Sequence, residues 1–493
     1  MKKTINKNQR GIIITILLLL SLFMVINSTN AITLNPGESI KNTVNTAISG
    51  DTIVLDVSNS GEFNISNLNE ANIIVNKNIT LKSSKSSQNA IINLHKVGRA
   101  FNITSQGNLT LINITIKNGQ SNINGYDDGG ALINKGKVTL AGCIFTNNRA
   151  TNDGGAIYNL GGSTLIVKNC TFTNNKASYT TYGGIGGAIY SDENSKTTVT
   201  DCTFTNNTAV GGSAIANEGK ITLARCTFTN NKADYGGTIE NFGTLTVKNC
   251  TFTNNKTHRG GAIDNDGTAT LTGCTFTNNK ATYGGAICNE GKILTVKNCT
   301  FTNNTVTYDG GAIWNYKYNL IVKNCTFENN KAKEGGAISN GFGGTATLIG
   351  CIFTNNTAKK GYYKNTICND ESSKVAVISC TFDSLTKVST FVDPANKRGT
   401  FTEIKDISKL TVGKKGNINI IVHDYKGKII KKGKVILKFD NKWSFTVNIV
   451  HGLANFSHTF IKAGNNRLLK ISYMKNSNNI ASSMTTNVVV NKN

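Results

Sequence analysis

The chain has 493 residues, a formal net charge of +25, 49 Gly, 2 Pro and 12 Cys, and only 16% charged residues. That length exceeds one compact core and calls for several domains or one long repeat array. Regularly placed Leu, Ile, Val and Phe without long charge blocks exclude a disordered chain, and the lack of any C-x-x-C pair leaves a zinc reading without support.

Residues 1–31 read as a signal peptide. Lys2, Lys3, Lys7 and Arg10 precede an apolar run over 11–26, broken only by Thr15 and Ser21, and small residues suit cleavage near Ala31. As a helix the run spans ~24 Å, short of the ~30 Å hydrocarbon core, so an uncleaved anchor is the weaker reading. No second such stretch follows, and the expected product is secreted or displayed at the cell surface, with no transmembrane span in the mature chain. Export places the cysteines in an oxidising context.

Residues 32–126 form the expected N-terminal cap and early coils. After Pro36, the residues Ile40, Val44 and Ile48 recur at helical spacing and predict a short capping helix. GDTIVLD then begins strands, and NITLKSS and NLTLINITIKNG continue them less regularly.

Residues 127–392 are the regular array. Ten cysteines share the motif C-[TI]-F: Cys143, Cys170, Cys202, Cys226, Cys250, Cys274, Cys299, Cys325, Cys351 and Cys380. Their spacing runs from 24 to 32 residues, which is a repeat signature. In LTVKNCTFTNNK, Leu245 and Val247 alternate with polar residues, whereas Cys250, Phe252 and Asn254 alternate out of step by one, so a bend falls at Asn249. Ile263 and Asn265 of GGAIDN supply a third short strand. Three strands in ~24 residues are too few residues for a propeller blade of ~40–50. The expected fold is therefore all-β, a right-handed parallel β-helix solenoid. Its coils stack ~4.8 Å apart, and about 14 coils make a rod of ~65–70 Å.

Stacking predicts columns of like residues. One asparagine column runs from Asn147 through Asn174, Asn206, Asn230 and Asn254 to Asn355; a second follows GGAI from Asn134 through Asn241 and Asn265 to Asn369. Side-chain amides both give and accept hydrogen bonds, so each column can satisfy backbone groups at a bend. The phenylalanines from Phe145 to Phe382 predict an interior stack. In-register cysteines lie ~4.8 Å apart, beyond the usual ~3.5–4.5 Å Cβ separation of a disulfide, so mostly free buried thiols are expected. Cys288 and Cys368 share a column but stand three coils apart and do not pair.

Pro394 sits in an expected linker over 393–402, and the repeat ends there. Residues 403–493 carry short alternating strands, NINIIVHD, KVILKFD, SFTVNIV, LANFSHTF, RLLKISY and TTNVVV, and no cysteine. They predict a C-terminal immunoglobulin-like β-sandwich. From residue 400 onward there are 15 Lys and 1 Arg against 4 acidic residues. Such a basic exported surface suits anionic partners, while no nucleic-acid-binding motif accompanies the charge.

The GGAIxN and C-T-F-x-N-N units resemble polymorphic-membrane-protein-type β-helical repeats, over roughly residues 127–383. The succession of cap, such repeats and an immunoglobulin-like domain resembles adhesin-like surface proteins of methanogenic archaea. The resemblance implies a surface protein concerned with adhesion. No carboxy-terminal translocator barrel, wall-sorting motif or terminal membrane helix is legible, which leaves the route of anchoring open.

Parallel β-helices also serve as scaffolds for polysaccharide lyases and glycoside hydrolases, which need carboxylates on neighbouring coils. Glu240, Asp264, Asp266 and Glu290 are the low-ranking catalytic candidates. If the x of AIxN points out, Glu240 and Asp264 are outward neighbours ~4.8 Å apart, near the ~5–5.5 Å of a retaining pair. The same column holds Ile133, Tyr158, Ala216, Cys288 and Trp314, so a merely tolerant surface position explains it better. His95 and His258 read as solvated residues. Lys232, Lys256 and Lys280 occupy one position on consecutive coils and are the ligand-contact candidates. Asn64, Asn78, Asn102, Asn113 and Asn455 stand in glycosylation sequons, whereas sequons such as that of Asn255 follow from the repeat.

The expected function is that of an adhesin-like surface rod binding other cells, envelope polymers or polysaccharide, most plainly anionic polysaccharide. No cofactor or metal is called for. The alternatives are a polysaccharide-degrading β-helix enzyme and a purely structural envelope protein.

Overall fold

The computed structural model describes residues 31–121, 128–178, 184–359, 366–370, 372–378, 380–382, 400–408, 410–424, 429–440, 442–474 and 482–491. Of the expected signal peptide over 1–31, residues 1–30 lie outside the described residues, as does most of the expected linker over 393–402, with Pro394. The first described strand, Ala31–Leu34, pairs in parallel with Thr52–Leu55. Between them runs the expected helix, Ile40–Thr46, capped by Ser39, whose side chain accepts from the Asn42 amide at 3.1 Å. Ile40 and Val44 are buried, but the helix stops short of Ile48, which stays 51% exposed.

The solenoid that follows is a right-handed parallel β-helix. One coil shows the plan. Thr244–Lys248 lies on the first face, Thr251–Thr253 on the second and Ile263–Asn265 on the third. Each strand is hydrogen-bonded in register to its equivalent 24 residues on, Thr244 to Thr268, Thr251 to Thr275 and Ile263 to Ile287. The second and third faces comprise 13 and 12 strands, so the described stack is somewhat shorter than fourteen complete coils. A fourth rung is present that alternation could not reveal. It is only two residues long, as at Lys232–Ala233 and Lys280–Ala281, and a period of two cannot be read from two residues.

The core is built in columns. Phe145 stacks on Phe172, and the series continues coil by coil to Phe353, with ring centroids 4.7–5.0 Å apart and planes within 7°. The bend expected at Asn249 is real. Asn249 has φ 52°, and Asn169, Asn298 and Asn324 take the same left-handed conformation, which asparagine tolerates better than most residues. Gly273 fills the equivalent place with φ 67°. At each glycine pair the two residues do different things. Gly260 supplies φ +53°, while a Cβ on Gly261 would meet the Gly285 carbonyl oxygen at 2.2 Å.

The asparagine columns need one correction. The GGAI column holds as expected, with Asn241 Nδ2 donating to Asn265 Oδ1 at 2.7 Å. In the C-T-F-x-N-N column the first asparagine does not stack. Asn254 and its equivalents turn the corner at φ of 53–57°, and all are exposed except the half-buried Asn329. The second asparagine points inward instead. Asn255 Nδ2 donates to Asn279 Oδ1 at 3.0 Å and to the Phe228 carbonyl at 3.1 Å, and the same Oδ1 accepts from the Asn255 backbone at 3.1 Å. Alternation carried across the corner pointed to the wrong member of the pair, because the left-handed residue reverses the in–out order.

The eleven buried cysteines, from Cys143 to Cys368, are free thiols. Their sulfurs take part in the ladder: the Cys226 amide donates to Cys250 Sγ at 3.3 Å, and Cys226 Sγ donates to the Ala224 carbonyl at 3.3 Å.

The C-terminal strands are longer and mainly antiparallel. Thr400–Ile407 pairs with Lys415–Asp424, which pairs with Ala454–Thr459. Lys432–Phe439 pairs with both Trp443–Val450 and Gly464–Tyr473, and the latter with Ser482–Asn491. The two sheets enclose a core of their own, including Ile418, Ile420, Leu437, Phe439, Phe456 and Ile471. The first strand begins at Thr400, inside the stretch expected to be linker.

Candidate functional site

The AIxN position lies on the far side of the third face from the core, because Ile239 and Asn241 on either side of Glu240 both point inward. Glu240 pairs in register with Asp264, and Asp264 with Cys288, as expected. The expectation that this column faces solvent fails at Asp264 and Cys288, while Glu240 is half-buried. Asp264 is 2% exposed and Cys288 is fully buried. The chain running into each glycine pair folds back over this column. Any side chain on Gly211 or Gly236 would collide with the Glu240 carboxylate, at 2.2 and 2.4 Å.

Arg259, on the covering segment, serves two carboxylates. Its Nε lies 3.7 Å from Asp264 Oδ2, and its Nη2 contacts Glu290 Oε1. Glu240 Oε2 and Asp264 Oδ1 are buried without a hydrogen-bond partner. Burial, reinforced by Asp264, pushes the Glu240 carboxyl up to about 8. Burial pushes Asp264 up to about 7 although Arg259 opposes it, and it raises Asp266 too. The four catalytic candidates are thus brought together, with Asp264 buried and Glu240, Asp266 and Glu290 half-buried, and burial favours the neutral form of Glu240 near pH 7. Asp153, on another covering segment, is pushed up to about 6 by burial, while its carboxylate accepts from the Ile185 amide at 2.9 Å.

The lysine column stands in the open. Lys232 bridges to Lys256 and Lys256 to Lys280 on consecutive coils, and all three are exposed. Arg149 and Lys176 pair at the same position earlier in the stack, and Lys331 continues it later. Two shallow grooves follow the column. One, of about 270 Å³, is lined by Lys256, Lys280, Thr282, Thr305 and Thr307 among others; the second, of about 320 Å³, includes Lys176, Thr208 and Lys232.

Beside the groove lies an aromatic strip that the sequence reading passed over. Tyr235, His258, Tyr283 and Tyr308 follow one another along the rod, with ring centroids 6.1, 6.2 and 5.3 Å apart. Tyr235 is 65% exposed, and the Lys333 ammonium sits 5.5 Å over the Tyr308 ring. The signal was present in ADYGG, THRGG, ATYGG and TYDGG, but the loops differ in length and obscure the alignment. His258 is therefore an exposed member of a strip, whereas His95 bonds Asn64 Oδ1 at 2.7 Å at the other end of the solenoid.

Among the described residues, no three His, Cys, Asp or Glu side chains are grouped as a metal ion requires, and no helix is long and apolar enough to cross a membrane. Asn64, Asn78 and Asn455 are exposed, whereas Asn255 is fully buried and structural.

Comparison with known proteins gives the same picture of the repeats. Residues 215–382 match the family described as right handed beta helix region. Residues 142–160, 169–192 and 201–218 match the Chlamydia polymorphic membrane protein repeat. No curated protein sequence matches the chain. Among solved structures, the catalytic unit of a GH87 alpha-1,3-glucanase from Streptomyces thermodiastaticus is similar at 12% identity and TM-score 0.35, covering 76% of this chain and 72% of that one. A mannuronic acid specific polysaccharide family 6 lyase from human gut microbiota is similar at 11% identity and TM-score 0.36, covering 73% and 85%. The receptor binding domain of the Siphovirus 9NA tailspike is similar at 9% identity and TM-score 0.33, covering 94% and 99%. The chain is a β-helical protein whose repeats are like those of the polymorphic membrane proteins.

Proposed function

We propose that this protein is an exported, adhesin-like surface protein whose solenoid binds anionic polysaccharide, on another cell or in the envelope, along its basic column. The observation that carries the reading is the in-register, exposed succession Lys232, Lys256 and Lys280 at the lip of a groove. Like charges ~4.8 Å apart repel one another, and a polymer with a carboxylate or sulfate on successive sugars relieves that repulsion at every rung. Threonine hydroxyls of the groove offer hydrogen bonds to such a chain, and the tyrosines beside it offer apolar surface for sugar rings. Many weak contacts along a repeating face add up. The C-terminal sandwich, read as an immunoglobulin-like module, serves as a spacer or a basic attachment unit.

The second reading, a polysaccharide-degrading enzyme, has one observation in its favour: Glu240 and Asp264 are in register beside Arg259. The burial of Asp264 counts against it. Both readings are tested together by mixing purified protein with particles of acidic polysaccharide, sedimenting them, and assaying the pellet for protein and the supernatant for released sugar. Salt-sensitive retention without sugar release is the expected outcome. Sugar release that disappears in Asp264→Asn or Asp266→Asn overturns the binding-only reading.

A further inference from the structure

The C-terminal sandwich has an outer face on which every charge is positive. In the sheet formed by Lys432–Phe439, Trp443–Val450 and Gly464–Tyr473, alternate residues enter the core, among them Val435, Leu437, Leu469 and Ile471. The intervening positions face outward. They place Lys432, Lys434 and Lys438 along one strand and Lys470 on its neighbour, all exposed. On the other side, Lys438 pairs with Ser444 and Lys434 with Asn448. None of the outward positions on these three strands is acidic, and the sequence contains no Asp or Glu after Asp440.

Lys438 is the direct cross-strand partner of Lys470. Like charges placed opposite each other destabilise a sheet, and on this face no carboxylate lies between them. Alternate residues along a strand are ~7 Å apart and cross-strand partners ~5 Å apart. The four ammonium groups therefore form two close pairs on one flat face, Lys432 with Lys434 and Lys438 with Lys470, about 13 Å apart along the strand, with a hydroxyl and an amide alongside. Each ammonium is a point charge with three donors that adapts to a carboxylate or sulfate without a fixed approach angle.

We propose that this face is a second polyanion-binding site, and that it docks the protein on a linear anionic polysaccharide. Charge complementarity sets the sign of the partner. The polar character of the face favours a polymer over a lipid surface, because interfacial membrane binding buries a large apolar face. Among the described outward positions of these three strands, Val450, opposite Lys432 at the end of the sheet, is the exposed apolar side chain, and Ile436 is half-buried. The site is separate from the lysine column of the solenoid. One chain thus holds the same class of polymer at two places, and the second contact forms at a raised effective concentration.

The test uses the full chain and a variant with K432Q, K434Q, K438Q and K470Q, leaving Lys232, Lys256 and Lys280 intact. Binding to immobilised polygalacturonate is compared at low and physiological salt, with neutral dextran and with phosphatidylglycerol vesicles as the other arms. The variant is expected to bind polygalacturonate about tenfold more weakly, with a shallower salt dependence and an unchanged or higher melting temperature. A second variant with arginine at the four positions keeps the charge and is expected to retain binding. K470Q alone, which removes one half of the opposed pair, is expected to weaken binding without lowering the melting temperature. Wild-type affinity in the folded glutamine variant, or wild-type affinity in K470Q, overturns the proposal. So does a loss of binding confined to the vesicles. Because the solenoid lysines are untouched, failure here is distinct from failure of the basic column.

Discussion

Asn255 gives its side-chain amide to Asn279 on the next coil and to Phe228 on the previous one, while its neighbour Asn254 faces solvent in a left-handed turn. Two adjacent asparagines of the same motif therefore do unrelated work, one satisfying buried groups and one making the corner. Asn255→Ala strands the Phe228 carbonyl and the Asn231 amide, which donates to Asn255 Oδ1 at 3.1 Å. A loss of ~2–4 kcal/mol in unfolding free energy is expected, since each unsatisfied buried group costs ~1–3 kcal/mol. Asn254→Gly is expected to change stability little, and Asn254→Val to cost ~1–2 kcal/mol through backbone strain. Denaturant unfolding of the three variants checks the order.

The phenylalanine stack makes a second prediction. Phe252 is fully buried between Phe228 and Phe276, at 4.7 and 5.0 Å. Phe252→Ala removes both contacts and leaves a cavity in the middle of the array, at an expected cost of ~3–5 kcal/mol. Phe252→Leu is expected to cost less. Calorimetry measures both, and equal costs would show that ring stacking adds nothing.

The buried carboxyls predict a falling stability with rising pH. Glu240 titrates near 8 and Asp264 near 7 in the fold, against ~4 in an unfolded chain. The folded state binds these protons more tightly, so their stabilising contribution is complete in acid and is lost as pH rises through about 7 to 8. The melting temperature is expected to be higher at about pH 5 than at about pH 8.5. Glu240→Gln, which cannot ionise, is expected to flatten that slope. An unchanged slope in this variant means that Glu240 is not held neutral.

The cysteine ladder predicts silent thiols. Eleven of the twelve cysteines are buried free thiols, so a thiol reagent is expected to label these eleven slowly in the folded protein and fully in the unfolded protein. Intact mass under denaturing, non-reducing conditions checks this, and a deficit of labels would reveal bridges between coils.

The sequence carried the solenoid because every coil repeats the same physical solution. C-T-F, GGAI and the bend at Asn249 all recur in the fold where alternation put them. What alternation could not show was which residues are covered by something outside the repeat period. Glu240 and Asp264 were correctly placed on the outer side of their face, but the segment bearing Arg259 lies over them, and its variable length hides that role in a one-dimensional reading. Tyr235, Tyr283 and Tyr308 went unnoticed for the same reason. The lysine column was legible because Lys232, Lys256 and Lys280 follow the invariant T-N-N, where register is fixed on both sides.

That column is the centre of the functional account, and one measurement tests it most directly. Binding of the full chain to polygalacturonate is followed across a salt series, beside a variant with K232Q, K256Q and K280Q. If the basic column holds anionic polysaccharide, the variant binds several-fold more weakly at low salt, and the two curves converge as salt screens the exposed charges. Superimposable curves, with both proteins folded, would contradict it.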